Sequence, residues 1–349
     1  PGAGGTLDVN GTRFTSNDGL GRGGGLCAGT LTHGLGDALI VNASFTDNTA
    51  SHGGGLDARA LVGGESLVVS GSTFMGNDAL TAGGLLWRAR APGASAILDA
   101  STVAQNTAAV EGGGMLIGDV DFAGNVTVQE TAFRDNTAPV SGGVGIHLSD
   151  PGDLVVFDQT SATLNTSATC GAGMRVYGGP GMLDVVNSTV SSNHGGAGVC
   201  LLDGSGGAST TFPIAFRYST LVAGGPDPAV RSFLPSGAAT ADGIAVEGAC
   251  GTPFFGSSVF TKAATVVFDG PFPNQCFVPT PFPFAVVGPL NLSGLTTASN
   301  GTDHHGWCIT SAVNNVMTTP APALDQLGTS RSFPADAGAV DLDLPPPCL

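Results

Sequence analysis

The sequence predicts an all-β protein: a right-handed parallel β-helix of about 30 residues per rung, with an irregular, Pro/Phe-rich C-terminal region. Three observations lead there. The first is a repeat. The stretch FTDNTASHGGGL, from Phe45, returns as FTSNDGLGRGGGL from Phe14, FMGNDALTAGGLL from Phe74, VAQNTAAVEGGGM from Val103 and FRDNTAPVSGGVG from Phe133. Weaker copies are ATLNTSATCGAGM from Ala162 and VSSNHGGAGV from Val190. Their central asparagines (Asn17, Asn48, Asn77, Asn106, Asn136, Asn165 and Asn193) are separated by 31, 29, 29, 30, 29 and 28 residues. The second is composition. There are 56 glycines in 349 residues without a Gly-X-Y period, which excludes collagen. Ala, Thr, Ser, Val and Asn fill strands and tight turns rather than helices. The third is what precedes each Asn. VNASFTDN and SGSTFMGN lack the leucine framework of a leucine-rich repeat, and the glycine runs after the Asn would break a helix.

Each repeat reads as one circuit. In the second, ALIVNASF is a strand, FTDNTA a turn and GGGLDARALV another strand, before GGESLVV opens the next circuit. Successive circuits stack about 4.8 Å apart, and none can bury its inner face alone, so the stack is the folding unit. Residues at equal offsets then form columns. Phe14, Phe45, Phe74, Val103, Phe133 and Val190, with Ala162, are expected to stack inside the coil. The asparagines form a ladder at a turn, where Asn tolerates the left-handed conformation and its amide bonds the rungs above and below. The glycines mark a corner with no room for Cβ. The Ser-Thr pairs before the apolar column (72–73, 101–102, 188–189, 219–220) suit a strand with one polar face.

The ladder stops after Asn193, because Gly224 stands three positions beyond Leu221. The chain thus divides into regular rungs over 1–225 and a second part, 226–349. Twelve of the 18 phenylalanines follow residue 210, in runs such as FDGPFPNQCFVPTPFPF that cannot be a central strand. This part is read as irregular final rungs or a cap over the end of the stack, with a separate domain or a docking surface as alternatives; SSVFTKAATVVF is a candidate further rung.

Charge narrows the partners. Only 11% of residues are charged, with one lysine (Lys262) and a net charge of −16. That shortage of cations argues against nucleic acid and anionic membrane surfaces. No apolar run is long enough for a spanning helix, and PGAGGTLDVNG is no signal peptide, so the chain is expected to be a trimmed, exported product. The seven cysteines include no CxxC pair. Disulfides such as Cys250–Cys276 and Cys308–Cys348 fit an exported protein, buried free thiols are the alternative, and Cys27 is the candidate odd thiol.

The F-x-x-N-x-A…G-G-G/A repeat resembles that of right-handed β-helix proteins of bacterial surfaces, among them the chlamydial polymorphic membrane proteins. The tail from Ala323 to Asp343 resembles the D-Q-x-G-x-x-R…D-x-G-A-x-E closing segment of exported "choice-of-anchor" β-helix proteins. Asp325, Gln326, Gly328, Arg331, Asp336, Gly338 and Ala339 match, and Asp341 stands where Glu is usual. The resemblance implies the fold and a secreted or cell-surface location.

Many pectin-cleaving enzymes share this fold, and the chemistry of such enzymes sets what an active site would need here. A uronate lyase needs Asp ligands for Ca²⁺ and a basic residue; none of the eleven bases lies beside a repeated acidic cluster in sequence. A glycosidase needs paired carboxylates, and Asp119 with Asp121 is the best pair, a solvated strand face being the ordinary reading. DHHGWC (303–308) could ligate a metal or form a loop near a disulfide. Asp18, Asp47, Asp78 and Asp135 form a partial stripe that could hold Ca²⁺ or edge the coil as solvated acids. Trp87, beside Arg88 and Arg90, could stack on a sugar ring or face another subunit. The resulting expectation is a non-enzymatic extracellular structural protein, a rigid stalk or a subunit that self-associates head to tail into filaments. The alternative is a carbohydrate-active protein: a polysaccharide lyase, a glycosidase or a glycan-binding adhesin.

Overall fold

The computed structural model describes residues 5–29, 36–118, 124–203, 213–234, 239–248 and 250–251. Beyond these it describes 260–263, 266–269, 285–287, 296–297, 300–304, 307–308, 325–326 and 343–344. Among these residues the chain forms an all-β, parallel β-solenoid, as the repeat predicts. Each regular rung carries four strands, as in Asp37–Val41, Ser44–Thr46, Thr49–His52 and Leu56–Ala60. Equivalent strands pair in parallel into four long sheets of ten, eleven, six and nine described strands.

The sequence reading had two strands and one turn per circuit, whereas the rung has four strands because the backbone reverses sign at three corners. Gly11, Asn42, Gly71, Ala100, Glu130, Gln159 and Asn187 hold positive φ between the first and second sheets. Ser16, Asp47, Gly76, Gln105, Asp135, Leu164 and Ser192 do so between the second and third. Gly23, Gly53, Ala82, Gly112, Ser141 and Gly171 do so between the third and fourth. A left-handed residue ends a strand without adding a loop, so long apolar runs such as ALIVNASF are bent into two short strands.

Registry sets the interior. Phe14, Phe45, Phe74, Val103, Phe133, Ala162, Val190 and Leu221 are successive partners in the second sheet. The first three rings stack face to face, with centroids 4.8 and 4.6 Å apart. The first sheet adds Ile40, Val69, Leu98, Val128, Phe157 and Val185 to the same core, and the fourth adds Leu56, Leu85, Met115, Val144, Met174 and Val199. Trp87 belongs to this core as well. It is fully buried inside the coil, which corrects the expectation of a surface ring for a sugar or a subunit.

Beside the phenylalanines runs the asparagine ladder. The Asn48 Nδ2 group donates to Asn77 Oδ1 at 2.9 Å and to Phe14 O at 2.9 Å, and the Asn48 backbone N–H donates to the same Asn77 oxygen at 3.0 Å. The pattern recurs from Asn77 to Asn106, Asn136, Asn165 and Asn193. Each inner amide therefore meets its donor and acceptor needs within the stack. The asparagines do not occupy the left-handed region expected of them; the residue before each of them does. Asn is selected for its amide. The glycines behind it leave no Cβ space: one added at Gly54 would lie 2.4 Å from Gly83 O.

A second ladder lies at the first corner. Ser72 Oγ accepts from Ala43 N, Ser101 Oγ from Ser72 N, Thr131 Oγ1 from Ser101 N, and Ser188 Oγ from Thr160 N. The first residue of each Ser-Thr pair is thus a rung-to-rung link, not a solvated strand position.

The asparagine ladder ends because a Cβ at Gly224 would fall 1.6 Å from Asn193 O. The coil itself continues. Ala239–Asp242, Ile244–Glu247, Phe260–Ala263 and Val266–Asp269 extend the first two sheets, so SSVFTKAATVVF supplies strands of a further rung. The Pro-Phe segment 270–284 lies outside the described residues. Two tail pieces return to the flank of the coil. Gln326 Nε2 donates to Thr160 O and Asp303 O while its Oε1 accepts from Thr189 Oγ1, and the Asp303 carboxylate accepts from Thr163 and Thr297 hydroxyls. The first two residues of the Asp-Gln-x-Gly motif therefore work as a latch.

Cys170 and Cys200 form a disulfide, Cα atoms 5.6 Å apart, between adjacent rungs, a pair the sequence reading did not single out. Cys250 is disulfide-bonded to a partner whose side chain is not among those described. Cys276, Cys348 and the side chain of Cys308 lie outside the described residues, and Cys27 is a free, exposed thiol. Replacing Cys170 and Cys200 together by Ala is expected to lower stability by about 2–4 kcal/mol, read by urea denaturation with and without reductant. Only the wild type should respond to reductant at these two rungs.

Candidate functional site

The chain's few cations are not spread evenly. On the fourth sheet, Leu56–Ala60 and Leu85–Ala89 alternate, so Leu56, Ala58, Leu85 and Trp87 point inward while Asp57, Arg59, Leu86 and Arg88 point outward. Arg59 and Arg88 are direct register partners on adjacent rungs. Arg22 and His52 are partners at the end of the third sheet, one corner away. Arg88, Arg22 and Arg59, three of the ten arginines, thus act on the Asp57 carboxylate, and Arg90 adds its charge near Arg59.

Both faces of these two strands are withdrawn from solvent. Asp57 and Arg59 are each only 1% exposed. Neither Asp57 oxygen accepts a hydrogen bond, and its nearest cation is Arg22 Nη1 at 3.8 Å, a side chain 25% exposed. Arg59 Nε and Nη1 have no hydrogen-bond partner. Arg88 Nη2 reaches His52 Nδ1 at 3.3 Å. Burial, followed by the neighbouring Arg22 and Arg88, pulls the Arg59 pKa below its ordinary value. Burial also raises the Asp57 pKa, against the opposing pull of Arg88, Arg22 and Arg59.

The sign of that shift gives a prediction. A carboxyl whose folded pKa is raised contributes stability that is fully present below the ordinary carboxylate range and lost as pH rises through the folded value. Urea denaturation at mildly acidic and neutral pH should show this slope in the wild type and a weaker one in Asp57→Asn. Asp158, also raised by burial, is common to both proteins.

Further along the same face, beyond the small apolar contact of Ala82, Leu86 and Leu116, a second group assembles. Glu111 Oε1 lies 3.3 Å from His147 Nε2 and 3.4 Å from Arg175 Nη1. His147 and Tyr177 are register partners with ring centroids 4.5 Å apart, and the Arg175 guanidinium lies 4.2 Å from the Tyr177 ring centre. This outer face thus carries Arg59, Arg88 and Arg175 together with the His147–Tyr177 ring pair.

The residues singled out from sequence fall elsewhere. Asp119 and Asp121 lie outside the described residues. Asp303 is a buried latch, hydrogen-bonded as above, and His304 is buried beside it. Asp18, Asp47, Asp78 and Asp135 are all exposed. No group of three or more His, Cys, Asp or Glu side chains placed to hold a metal occurs among the described residues. The basic cluster was missed because Arg22, Arg59 and Arg88 are 29 or more residues apart in the chain. Its signal was the alternation in LDARA and LLWRAR, which puts charge on one face of a strand and apolar bulk on the other.

The fold and this face together define the class: a parallel β-solenoid with one cation-rich outer sheet face. No protein-family model, no curated protein and no solved structure matches the chain.

Proposed function

We propose that this chain is a rigid scaffold of the bacterial exterior, a secreted or surface-exposed β-helical stalk of the kind its FxxN and GGG repeats resemble. The observation that carries the reading is the unbroken asparagine ladder from Asn17 to Asn193. Regular rungs are tied to the next by strand pairing and Asn amides, and several also by Ser/Thr hydroxyls at the first corner, which makes a rod that resists bending and extension. The Cys170–Cys200 bridge suits an oxidising compartment. Among the described residues no helix is long and apolar enough to cross a membrane. Head-to-tail association of such rods into filaments belongs to the same reading, since heterologous contacts that do not close make fibres.

The test is the shape and state of the native protein. Electron microscopy and sedimentation should give straight rods whose length grows with concentration. Dispersed monomers at the highest attainable concentration would remove the filament, and a flexible or compact particle would remove the stalk.

A further inference from the structure

We infer that the outer face of the first sheet carries N-linked oligosaccharides, joined to Asn10, Asn42 and Asn125. The inference rests on the exported location proposed above, because Asn-x-Ser/Thr sequons are read on secreted chains. The chain holds seven such sequons, and the fold sorts them. Asn165 is fully buried in the ladder, where its Nδ2 donates to Phe133 O and Asn193 Oδ1. Asn187 is 3% exposed and donates to Asp158 Oδ1. Asn300 is committed to the latch: its Nδ2 donates to Gln326 O and its Oδ1 accepts from the Thr302 hydroxyl. A sugar on any of these three amides would displace those bonds. Asn291 lies outside the described residues. Asn10, Asn42 and Asn125, by contrast, are exposed, and their Nδ2 groups donate to no described residue.

The three share one surface. Asn10 ends the strand Thr6–Asn10, and Asn42 follows Asp37–Val41 at the same end of the sheet, one rung on. Asn125 opens Asn125–Gln129 at the opposite end of the sheet, three rungs beyond Asn42. Val9 and Val126 beside them point into the core, so Asn10 and Asn125 point away from it. Along the same face runs an outward column of register partners, Leu39, Val68, Ile97 and Thr127. Leu39 and Ile97 are 43% and 38% exposed. Oligosaccharides rooted at both ends of the sheet shield this apolar column from other chains. The transfer is a substitution at an anomeric carbon. Asn Nδ2 bonds to C1 of an oligosaccharide carried on a lipid pyrophosphate, and the C1–O bond breaks. The lipid pyrophosphate leaves with the electron pair, and Nδ2 gives one proton to a base of the transferase. Thr12, Ser44 and Thr127 supply the acceptor hydroxyls. Thr12 is exposed beside Asn10, its Oγ1 donating to Asn10 O at 3.2 Å.

The test is mass-spectrometric peptide mapping of the full chain, purified separately from the exterior and the interior of the cells that make it. The expected result is sugar mass increments on the peptides holding Asn10, Asn42 and Asn125, and none at Asn165, Asn187 or Asn300. Thr12→Ala should lose the increment at Asn10 and keep that at Asn125, and Thr127→Ala should do the reverse. Asn10→Gln, which keeps the strand polar at that position, should match Thr12→Ala. An unmodified chain would overturn the inference wherever it is recovered. So would increments that persist at Asn10 in Thr12→Ala, or increments that fall on Asn165 or Asn187. Recovery of the chain only from the interior would remove the exported reading by itself, whereas an unmodified chain on the exterior would remove the oligosaccharides and leave that reading standing.

Discussion

Replacing Asn106 by Ala is expected to cost about 3–6 kcal/mol, summing two or three buried polar groups left unsatisfied. Asn106 is fully buried at the middle of its ladder. Its Oδ1 accepts from both the backbone N–H and Nδ2 of Asn77, and its Nδ2 donates to Phe74 O and Asn136 Oδ1. Ala leaves the Asn77 donors pointing into a dry interior with nothing to accept them. The lesion is local, so hydrogen exchange is the sensitive measurement: the amides of Asn77 and its neighbours should lose protection first, before the global urea transition moves. Asn17→Ala is the internal comparison. Asn17 is exposed and donates to Asn48 without a described residue donating to it, so its loss strands no donor and should cost about 0.5–1.5 kcal/mol. Equal effects at the two positions would show that the ladder does not act as a chain of mutually satisfied amides.

Truncating Phe74 to Ala should cost about 3–5 kcal/mol. The ring is fully buried, stacked on Phe45 on one side and in register with Val103 on the other. Ala would leave a void that neighbouring rungs cannot close, because their spacing is held by strand pairing. Phe74→Leu should cost only roughly 1–1.5 kcal/mol, since the same column already accepts valine at Val103 and Val190. Denaturation of both variants checks this. Similar large losses would mean that ring stacking, rather than filled volume, stabilises the column.

The architecture was legible because a solenoid repeats its instructions. Phe45, Asn48 and Gly53 each recur at a fixed offset, and parallel stacking turns equal offsets into contacts without further information. The number of strands per rung was less legible. Left-handed corners fall on residues as different as Gln105, Asp135, Leu164 and Ser192, so no residue type announces them; only stacking on the rung below imposes that conformation. The same ambiguity led the ladder asparagines to be assigned the left-handed turn that their predecessors occupy. Trp87 was misread for a related reason. A lone aromatic between leucine and arginine gives no sign of which side of the strand faces the core, whereas the register of Leu56 and Leu85 settles it.

The candidate site was the least legible part. LDARA and LLWRAR each look like a strand with a polar side, and Arg22 lies in a glycine-rich stretch of its own. What the sequence by itself determined is the period, the identity of the stacked columns and the shortage of cations. Only the tertiary structure decided which outward columns share a sheet face, that Arg59 and Arg88 sit on adjacent rungs, and that their face is withdrawn from solvent. The physical reason is that periodicity specifies contacts between equivalent positions, whereas a site is made of non-equivalent ones, and their distances exist only once the coil has closed.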